Sequence, residues 1–232
     1  MPDVLIEPRF APVTFSAGFL ELPLEDVVEG VRSWYHEMKL PRALKPPTDL
    51  PLTAALAQLE PLSAPDFRRL WVATDSSRWR TAYFDGFING TDAGPPIGYL
   101  AQRLGCRTVT VGAQPDAPPC YGATQIALYG PETTDWLNLE WSVAAMNDGG
   151  RWTFNRTGVA QPFEEPEHYA RRRLRDRFTP ELLRRYCAAL DVPLDGAAFG
   201  RSVLDVPTFR ATIKRRETLA AVRATLGLAD IP

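Results

Sequence analysis

The chain has 232 residues, of which 45% are hydrophobic and 23% are charged, and its formal net charge is −2. This composition is typical of a globular protein and excludes a disordered or strongly charged chain. The length can bury a substantial core, and we expect one α+β domain over residues 1–232.

The first predicted elements are a strand over 13–22 and a strongly amphipathic helix over 24–38. The apolar residues of that helix recur at spacings of three and four, which places them on one face (Leu24, Val27, Val28, Val31, Trp34, Tyr35 and Met38). Glu25 and Asp26 suit the positive N-terminal end of the helix. We therefore expect this helix to pack against the sheet.

A β-α-β passage follows, after a proline-rich connection over 41–51 and a short helix around Leu56. Strands are predicted over 70–74 and 79–84, joined by a turn at 75–78. After a loop over 85–94, two prolines open a helix that Gly105 ends before a strand over 106–111. We expect this passage to form the centre of the fold.

A hairpin is predicted around Asn147-Asp148-Gly149-Gly150, because these residues supply the positive φ angles of a tight turn. Alternation places Leu137, Leu139, Trp141 and Val143 on one face of its first strand, and we expect Trp152 and Phe154 to face the core together with Leu139 and Trp141. Another strand is predicted over 124–129.

The part of the chain over about 165–226 is predicted to be helical, with Thr179 as an N-cap and a helix over 208–226. The fold we predict is therefore α+β, with a largely antiparallel sheet of about six or seven strands flanked by helices.

Charge is unevenly distributed, since residues 1–170 are acidic overall and 171–223 are basic. The arginine-rich run over 171–177 is typical either of a nucleic-acid surface or of a helix face with acidic partners. No base-reading motif accompanies the run, and acidic residues lie nearby (Glu164, Glu165, Glu167 and Asp176). We therefore favour an ion-paired helix face over nucleic-acid binding.

The three cysteines (Cys106, Cys120 and Cys187) have no C-x-x-C spacing, so a disulfide framework or a structural zinc site has little support. The N-terminal residues lack a basic start and a long apolar run, and no run of about 18 apolar residues occurs. We expect a cytoplasmic protein without a membrane segment, a bound metal or a cofactor.

The candidate binding site is the loop over 84–94, which is rich in glycine and acidic residues and precedes a helix. A phosphate is disfavoured there because Asp92 already complements the helix dipole and a Walker lysine is absent. A calcium loop is disfavoured because Phe87 and Pro96 occupy ligand positions. Turn and capping roles account for much of this pattern, and we name Asp85, Phe87, Asn89 and Asp92 as candidate partner-binding residues.

Several segments of the chain resemble motifs of uncharacterised bacterial proteins common in actinobacteria. These segments are Trp79-x-x-x-Tyr83-Phe84-Asp85, Gly90-Thr91-Asp92 and Asp148-Gly149-Gly150-Arg151-Trp152-x-Phe154, followed by Gly158, Phe163-Glu164 and Tyr169. The resemblance covers residues 70–190 and implies a toxin-neutralising or immunity role. It assigns no functional residue.

Two functions remain open. With only His36 and His168, and without G-x-S-x-G, H-E-x-x-H or G-x-G-x-x-G motifs, the sequence favours a non-catalytic binding protein that acts on another protein. The alternative is a hydrolase or transferase that uses carboxylates near the Asp85–Asp92 loop. A deep cleft with shifted pKa values would favour the enzyme, and an acidic or aromatic patch would favour the binder.

Overall fold

The structure is a computed structural model that describes residues 3–209, 211–212 and 215–230. Its strands, in chain order, are β1 (Ser16–Leu20), β2 (Arg42–Leu44), β3 (Leu62–Ala64), β4 (Arg69–Thr74), β5 (Thr81–Asp85), β6 (Thr108–Gln114), β7 (Ala123–Thr134), β8 (Leu137–Asp148), β9 (Arg151–Gly158), β10 (Phe199–Pro207) and β11 (Arg215–Glu217). Its helices are α1 (Leu24–Glu37), α2 (Leu52–Ala57), α3 (Gly94–Leu104), α4 (Pro166–Tyr169), α5 (Pro180–Ala189) and α6 (Leu219–Thr225).

Nine of the described strands form one antiparallel sheet in the order β2-β10-β4-β5-β1-β6-β7-β8-β9. Strands β3 and β11 form a separate antiparallel pair. The predicted α+β class and antiparallel sheet are confirmed, and the sheet has more strands than the six or seven expected.

Strand β1 lies between β5 and β6, the two strands on either side of α3. Gly18 pairs with Tyr83 on one side and with Thr110 on the other. A Cβ atom on Gly18 would lie 2.3 Å from the Ile97 side chain, so glycine allows α3 to lie directly on β1. Any larger residue at position 18 would push Ile97, and with it α3, away from β1.

Helices cover both faces of the sheet. On one face, α1 and α3 bury Val31 and Ile97 against Trp71 and Tyr83. The opposite face packs against α2 and α5 through a larger cluster that includes Leu56, Leu70, Phe84, Leu182 and Tyr186. Because side chains alternate along a strand, Tyr83 and Asp85 face the α1–α3 side while Phe84 faces the other.

The predicted hairpin joins β8 to β9, with Gly149 at φ 61° and Gly150 at φ 99° in the turn. Trp141 is fully buried, and Trp152 and Phe154 pack partly buried against the same cluster, as predicted. The prediction for Leu139 was wrong. A bulge pairs Tyr129 with Leu139 but Leu128 with Trp141, which turns Leu139 to the opposite face from Trp141.

The C-terminal part differs from the predicted helical portion. Helix α4 ends at Tyr169, and the arginine-rich run continues as a 3₁₀ turn at Leu174–Asp176 rather than as a long helix. Strand β10 enters the main sheet between β2 and β4. The helix predicted over 208–226 is replaced by β11 and α6, and residues 210, 213 and 214 of that span lie outside the described residues.

None of the helices in the described ranges has both the length and the apolar character needed to cross a membrane. The three cysteines are buried and are not paired with one another.

Candidate functional site

A pocket of about 300 Å³ lies where β4 begins and β5 ends, beside the start of α3. It contains one cationic group and two carboxyl groups between aromatic and proline side chains. The residues that line it are Phe67, Arg69, Tyr83, Asp85, Phe87, Asp92, Pro95 and Pro96. We call it the Asp85 pocket.

The register of the sheet brings three charged residues into one row. Asp205 of β10 pairs with Arg69 of β4, and Arg69 pairs with Asp85 of β5. Directly paired residues on antiparallel strands point to the same face, so all three side chains lie on the α1–α3 side.

Hydrogen bonds link this row to α1 and β2. The Arg42 Nε donates to Asp205 Oδ1 at 2.9 Å, and Tyr35 Oη donates to Asp205 Oδ2 at 2.5 Å. The Arg69 Nη1 donates to Tyr35 Oη at 3.0 Å. Burial and the nearby Asp205 carboxylate raise the pKa of Tyr35 far above its ordinary value, so it stays a neutral donor.

Arg69 keeps part of its donor capacity unused. Its Nε atom is buried and has no hydrogen-bond partner in the described part of the chain. The guanidinium carbon lies 5.5 Å from the centre of the Phe67 ring, a cation–π distance. The Phe67 ring in turn contacts Phe87 edge-on, with ring centres 5.5 Å apart. A cation therefore lies beside an aromatic pair at the pocket.

Asp85 is the acidic group of the pocket and is only 2% exposed. Its Oδ2 accepts a hydrogen bond from Tyr83 Oη at 2.9 Å, and its Oδ1 accepts one from the Phe87 N–H at 3.1 Å. Burial raises the pKa of Asp85 to about 6, although these hydrogen bonds and the charge of Arg69 oppose the rise. Its protonation therefore changes near neutral pH.

The loop after Asp85 is held by close backbone contacts. Thr91 Oγ1 donates to the carbonyl oxygens of Val13 at 2.6 Å and of Asp85 at 3.0 Å. A Cβ atom on Gly86 would lie 2.8 Å from the Leu59 carbonyl oxygen, so the chain needs glycine there. Phe87 is thereby fixed at the pocket.

The start of α3 offers no anion site. Asp92 Oδ1 accepts the Gly94 N–H at 3.2 Å, and Pro95 and Pro96 have no N–H. The Ile97 N–H donates to the Ala93 carbonyl oxygen. These bonds give a structural reason for the sequence-based exclusion of phosphate.

Three of the four sequence-predicted site residues meet at this pocket. Asp85, Phe87 and Asp92 line it, whereas Asn89 lies exposed in the turn after Phe87 and does not. Asp85 is buried, so its carboxylate contributes from the interior rather than as part of an exposed acidic surface.

Sequence reasoning missed Phe67, Arg69 and Tyr83. The available signal was an arginine immediately before the apolar run Leu70-Trp71-Val72, in a strand paired with the one that ends at Asp85. A charged residue at the end of a buried strand needs a partner, and the neighbouring strand is where to look for it.

A second cavity, of about 700 Å³, meets the Asp85 pocket at Asp92 and Pro95. Its lining includes uncharged polar side chains of β6, β7 and β8 (Thr110, Gln125, Asn138 and Ser142). Tyr99 and Leu137 line it and are 43% and 81% exposed. The two cavities form a groove around the start of α3.

One carboxylate–histidine cluster lies away from this groove. Glu165, Glu167 and His168 place possible metal-ligand atoms within 4.8 Å of one another. Arg185 already binds both oxygens of Glu165, at 2.7 and 2.9 Å. The cluster is thus partly neutralised by an arginine, which is unfavourable for a cation.

Comparison of the chain with protein-family models, curated proteins and solved structures finds no match. The resemblance to uncharacterised bacterial proteins, and the immunity role that it implies, stay predictions.

Proposed function

We propose that the protein is a non-catalytic cytoplasmic binding protein of the immunity type, which occludes a partner protein. The partner docks over the groove around the start of α3. It inserts one apolar side chain beside Phe67 and Phe87 and presents a carbonyl or carboxylate oxygen to Arg69.

The observation that carries this proposal is the buried Nε of Arg69 without a hydrogen-bond partner among the described residues. A buried donor left unsatisfied costs about 1–3 kcal/mol. An acceptor atom in the pocket would recover that free energy and add a charge-assisted hydrogen bond. The pocket is thus chemically complementary to an oxygen acceptor.

The surroundings of the pocket have the composition of a protein interface. Tyr99 and Leu137 border the groove, and Trp136, next to Leu137 in the chain, is 63% exposed. Phe67 and Phe87 are half-buried at the pocket. Aromatic and arginine side chains dominate the binding free energy of many interfaces, which supports a protein as the ligand.

The test is affinity capture from the native cell with the wild-type protein and two variants, followed by titration of the purified partner. Phe87→Ala is expected to weaken binding at least tenfold while the thermal unfolding transition stays cooperative. Val159→Ala is the matched control, because Val159 is 77% exposed and follows β9, which four other strands separate from β5 in the sheet. Equal capture by all three proteins would contradict the proposal.

A second candidate function, a hydrolase or transferase, is supported by the raised pKa of Asp85. A carboxyl group with a pKa of about 6 can exchange protons near neutral pH, as a general acid or base must. Binding is preferred because Asp85 is 2% exposed and both oxygens accept internal hydrogen bonds.

Turnover separates the two functions. If purified protein converts a small molecule and Asp85→Asn abolishes that activity while preserving the fold, the protein is an enzyme and the proposed binding function is wrong. Asp148→Asn serves as the control for loss of one carboxylate, since Asp148 is exposed at the β8–β9 turn.

A further inference from the structure

A third pocket, of about 340 Å³ and lined by polar and charged side chains, lies between the β3–β4 connection and the C-terminal strands. Three cationic side chains and one carboxylate face it: Lys45, Arg68, Arg216 and Asp66. It shares no lining residue with the groove around α3. Its side chains carry a net positive charge, whereas the loop over 84–94 carries a net negative charge.

Asp66 is the buried acceptor of this pocket. Its side chain is 0% exposed, and Oδ2 forms an ion pair with Arg216 Nη2. Burial acts to raise the pKa of Asp66, but the ion pair with Arg216 and the nearby backbone N–H groups of Asp66 and Ala211 outweigh that effect. The pKa therefore lies below its ordinary value, and Asp66 is ionised at neutral pH. Oδ1 is buried and accepts no hydrogen bond from the described residues.

The cationic side chains have donor atoms to spare. Arg68 donates through Nη1 to the carbonyl oxygens of Gln58 and Glu60, which anchors it and leaves its other nitrogens without acceptors in the described ranges. Arg216 uses Nη2 on Asp66, and Lys45 is exposed at the pocket. Such donors bind carboxylates well.

We propose that this pocket binds a small carboxylic acid that also carries an amino or hydroxyl group, an α-amino acid or an α-hydroxy acid. The carboxylate lies against Arg68, Arg216 and Lys45, and the amino or hydroxyl group donates to Asp66 Oδ1. Ionised Asp66 disfavours a ligand that brings only negative charge, because its own unsatisfied oxygen needs a donor. The volume is at the lower end of the range for small-molecule sites.

The experiment is a thermal-shift screen of the twenty amino acids and of L-lactate and L-malate, each at 10 mM, followed by calorimetric titration of the best probe. At least one probe should stabilise the protein. The analogue without the donor (propionate for lactate or alanine) and the amide without the carboxylate (alaninamide for alanine) should each bind at least tenfold more weakly.

Variants locate the site. Lys45→Gln is expected to weaken binding about threefold to tenfold, since it removes one charge-assisted contact from an exposed position. Arg68→Gln should weaken it by more than tenfold, with folding checked by circular dichroism. Lys39→Gln is the matched control, because Lys39 is exposed after α1 and does not line the pocket.

Three outcomes would overturn the proposal. They are the absence of any stabilising probe, equal binding of propionate and lactate, and unchanged affinity of the Lys45→Gln protein. These outcomes are independent of the groove around α3, whose test uses Phe87→Ala and a partner protein.

Discussion

Arg69 and Asp85 are directly paired on β4 and β5, yet each takes its hydrogen bonds elsewhere. The carboxyl accepts from Tyr83 and from the Phe87 N–H, and the guanidinium donates to Tyr35. Arg69 therefore acts on Asp85 through its charge, lowering a pKa that burial raises. Both side chains line the Asp85 pocket.

The first prediction concerns Asp85→Asn and pH. The folded-state pKa of about 6 lies above the ordinary 3.8, so native Asp85 holds its proton more tightly than the unfolded chain does. Its stabilising contribution is thus full below pH 4 and is lost as pH rises through 6, by about 3 kcal/mol at most. The wild-type free energy of unfolding, minus that of Asp85→Asn, should fall over this range in urea titrations. A difference that rises with pH would contradict the raised pKa.

The second prediction is that Arg69→Gln raises the pKa of Asp85 above 6, because a nearby positive charge is removed. The measurement is an NMR titration of the Asp85 carboxyl carbon. Arg80→Gln is the control, since Arg80 is exposed before β5 and should leave the titration unchanged. An unaltered Asp85 titration in Arg69→Gln would show that the two groups are not coupled.

The third prediction is that Asp205→Asn destabilises the protein by about 3–5 kcal/mol, because it leaves the charge of Arg42 buried without its carboxylate partner. The control is Glu25→Gln, which removes an exposed partner of Arg201 and should change stability by less than about 1 kcal/mol. Denaturant midpoints measure both effects. Comparable losses in the two variants would be inconsistent with a stabilising role for the buried network.

The fourth prediction ranks three tryptophans by burial. Trp141 is fully buried, and its Nε1 donates to Glu164 Oε1 at 2.8 Å. Trp141→Ala should cost about 3–5 kcal/mol, Trp152→Ala less because it is half-buried, and Trp136→Ala under about 1 kcal/mol because it is 63% exposed. Chemical denaturation gives the order. A neutral effect of Trp141→Ala would refute the assigned core.

The fifth prediction is that the arginine-rich run does not bind nucleic acid. Arg177 lies over the Phe154 ring and donates to the Arg171 carbonyl oxygen, and Arg175 pairs with Asp176. Fluorescence anisotropy at physiological salt should give dissociation constants no tighter than the nonspecific range of about 10⁻⁴–10⁻⁶ M. Tighter binding that is lost in Arg171→Glu/Arg172→Glu would reverse this conclusion.

Features with strong local periodicity were predictable from the sequence. Helix α1 and the β8–β9 hairpin agree with prediction because an apolar stripe and two positive-φ glycines specify them locally. Strands β2 and β3 have three residues each, too few for alternation to show. In β10, Val203 and Leu204 point to opposite faces of the sheet and pack in different apolar clusters. The sequence of β10 therefore shows no alternation of apolar and polar residues that would predict a strand.

The arrangement of the candidate site could not be predicted, because it depends on the register between β4 and β5. The predicted turn at 75–78 would pair Thr74 with Trp79, whereas Ala73 pairs with Thr81. That difference of one residue decides whether Arg69 lies opposite Phe84 or opposite Asp85. The network of Tyr35 and Asp205 joins segments far apart in the chain, and no local pattern of the sequence contains that information.

Strand β1 has a consequence for how the molecule is made. It is synthesised before both of its neighbours in the sheet. Gly18 can therefore pair only after Tyr83 and then Thr110 have been added to the chain. Pairings so distant in sequence carry a large loop-closure entropy and slow the search for the native state. During synthesis both edges of β1 therefore stay unpaired until β5 and then β6 have been made, which exposes this strand to pairing with other chains.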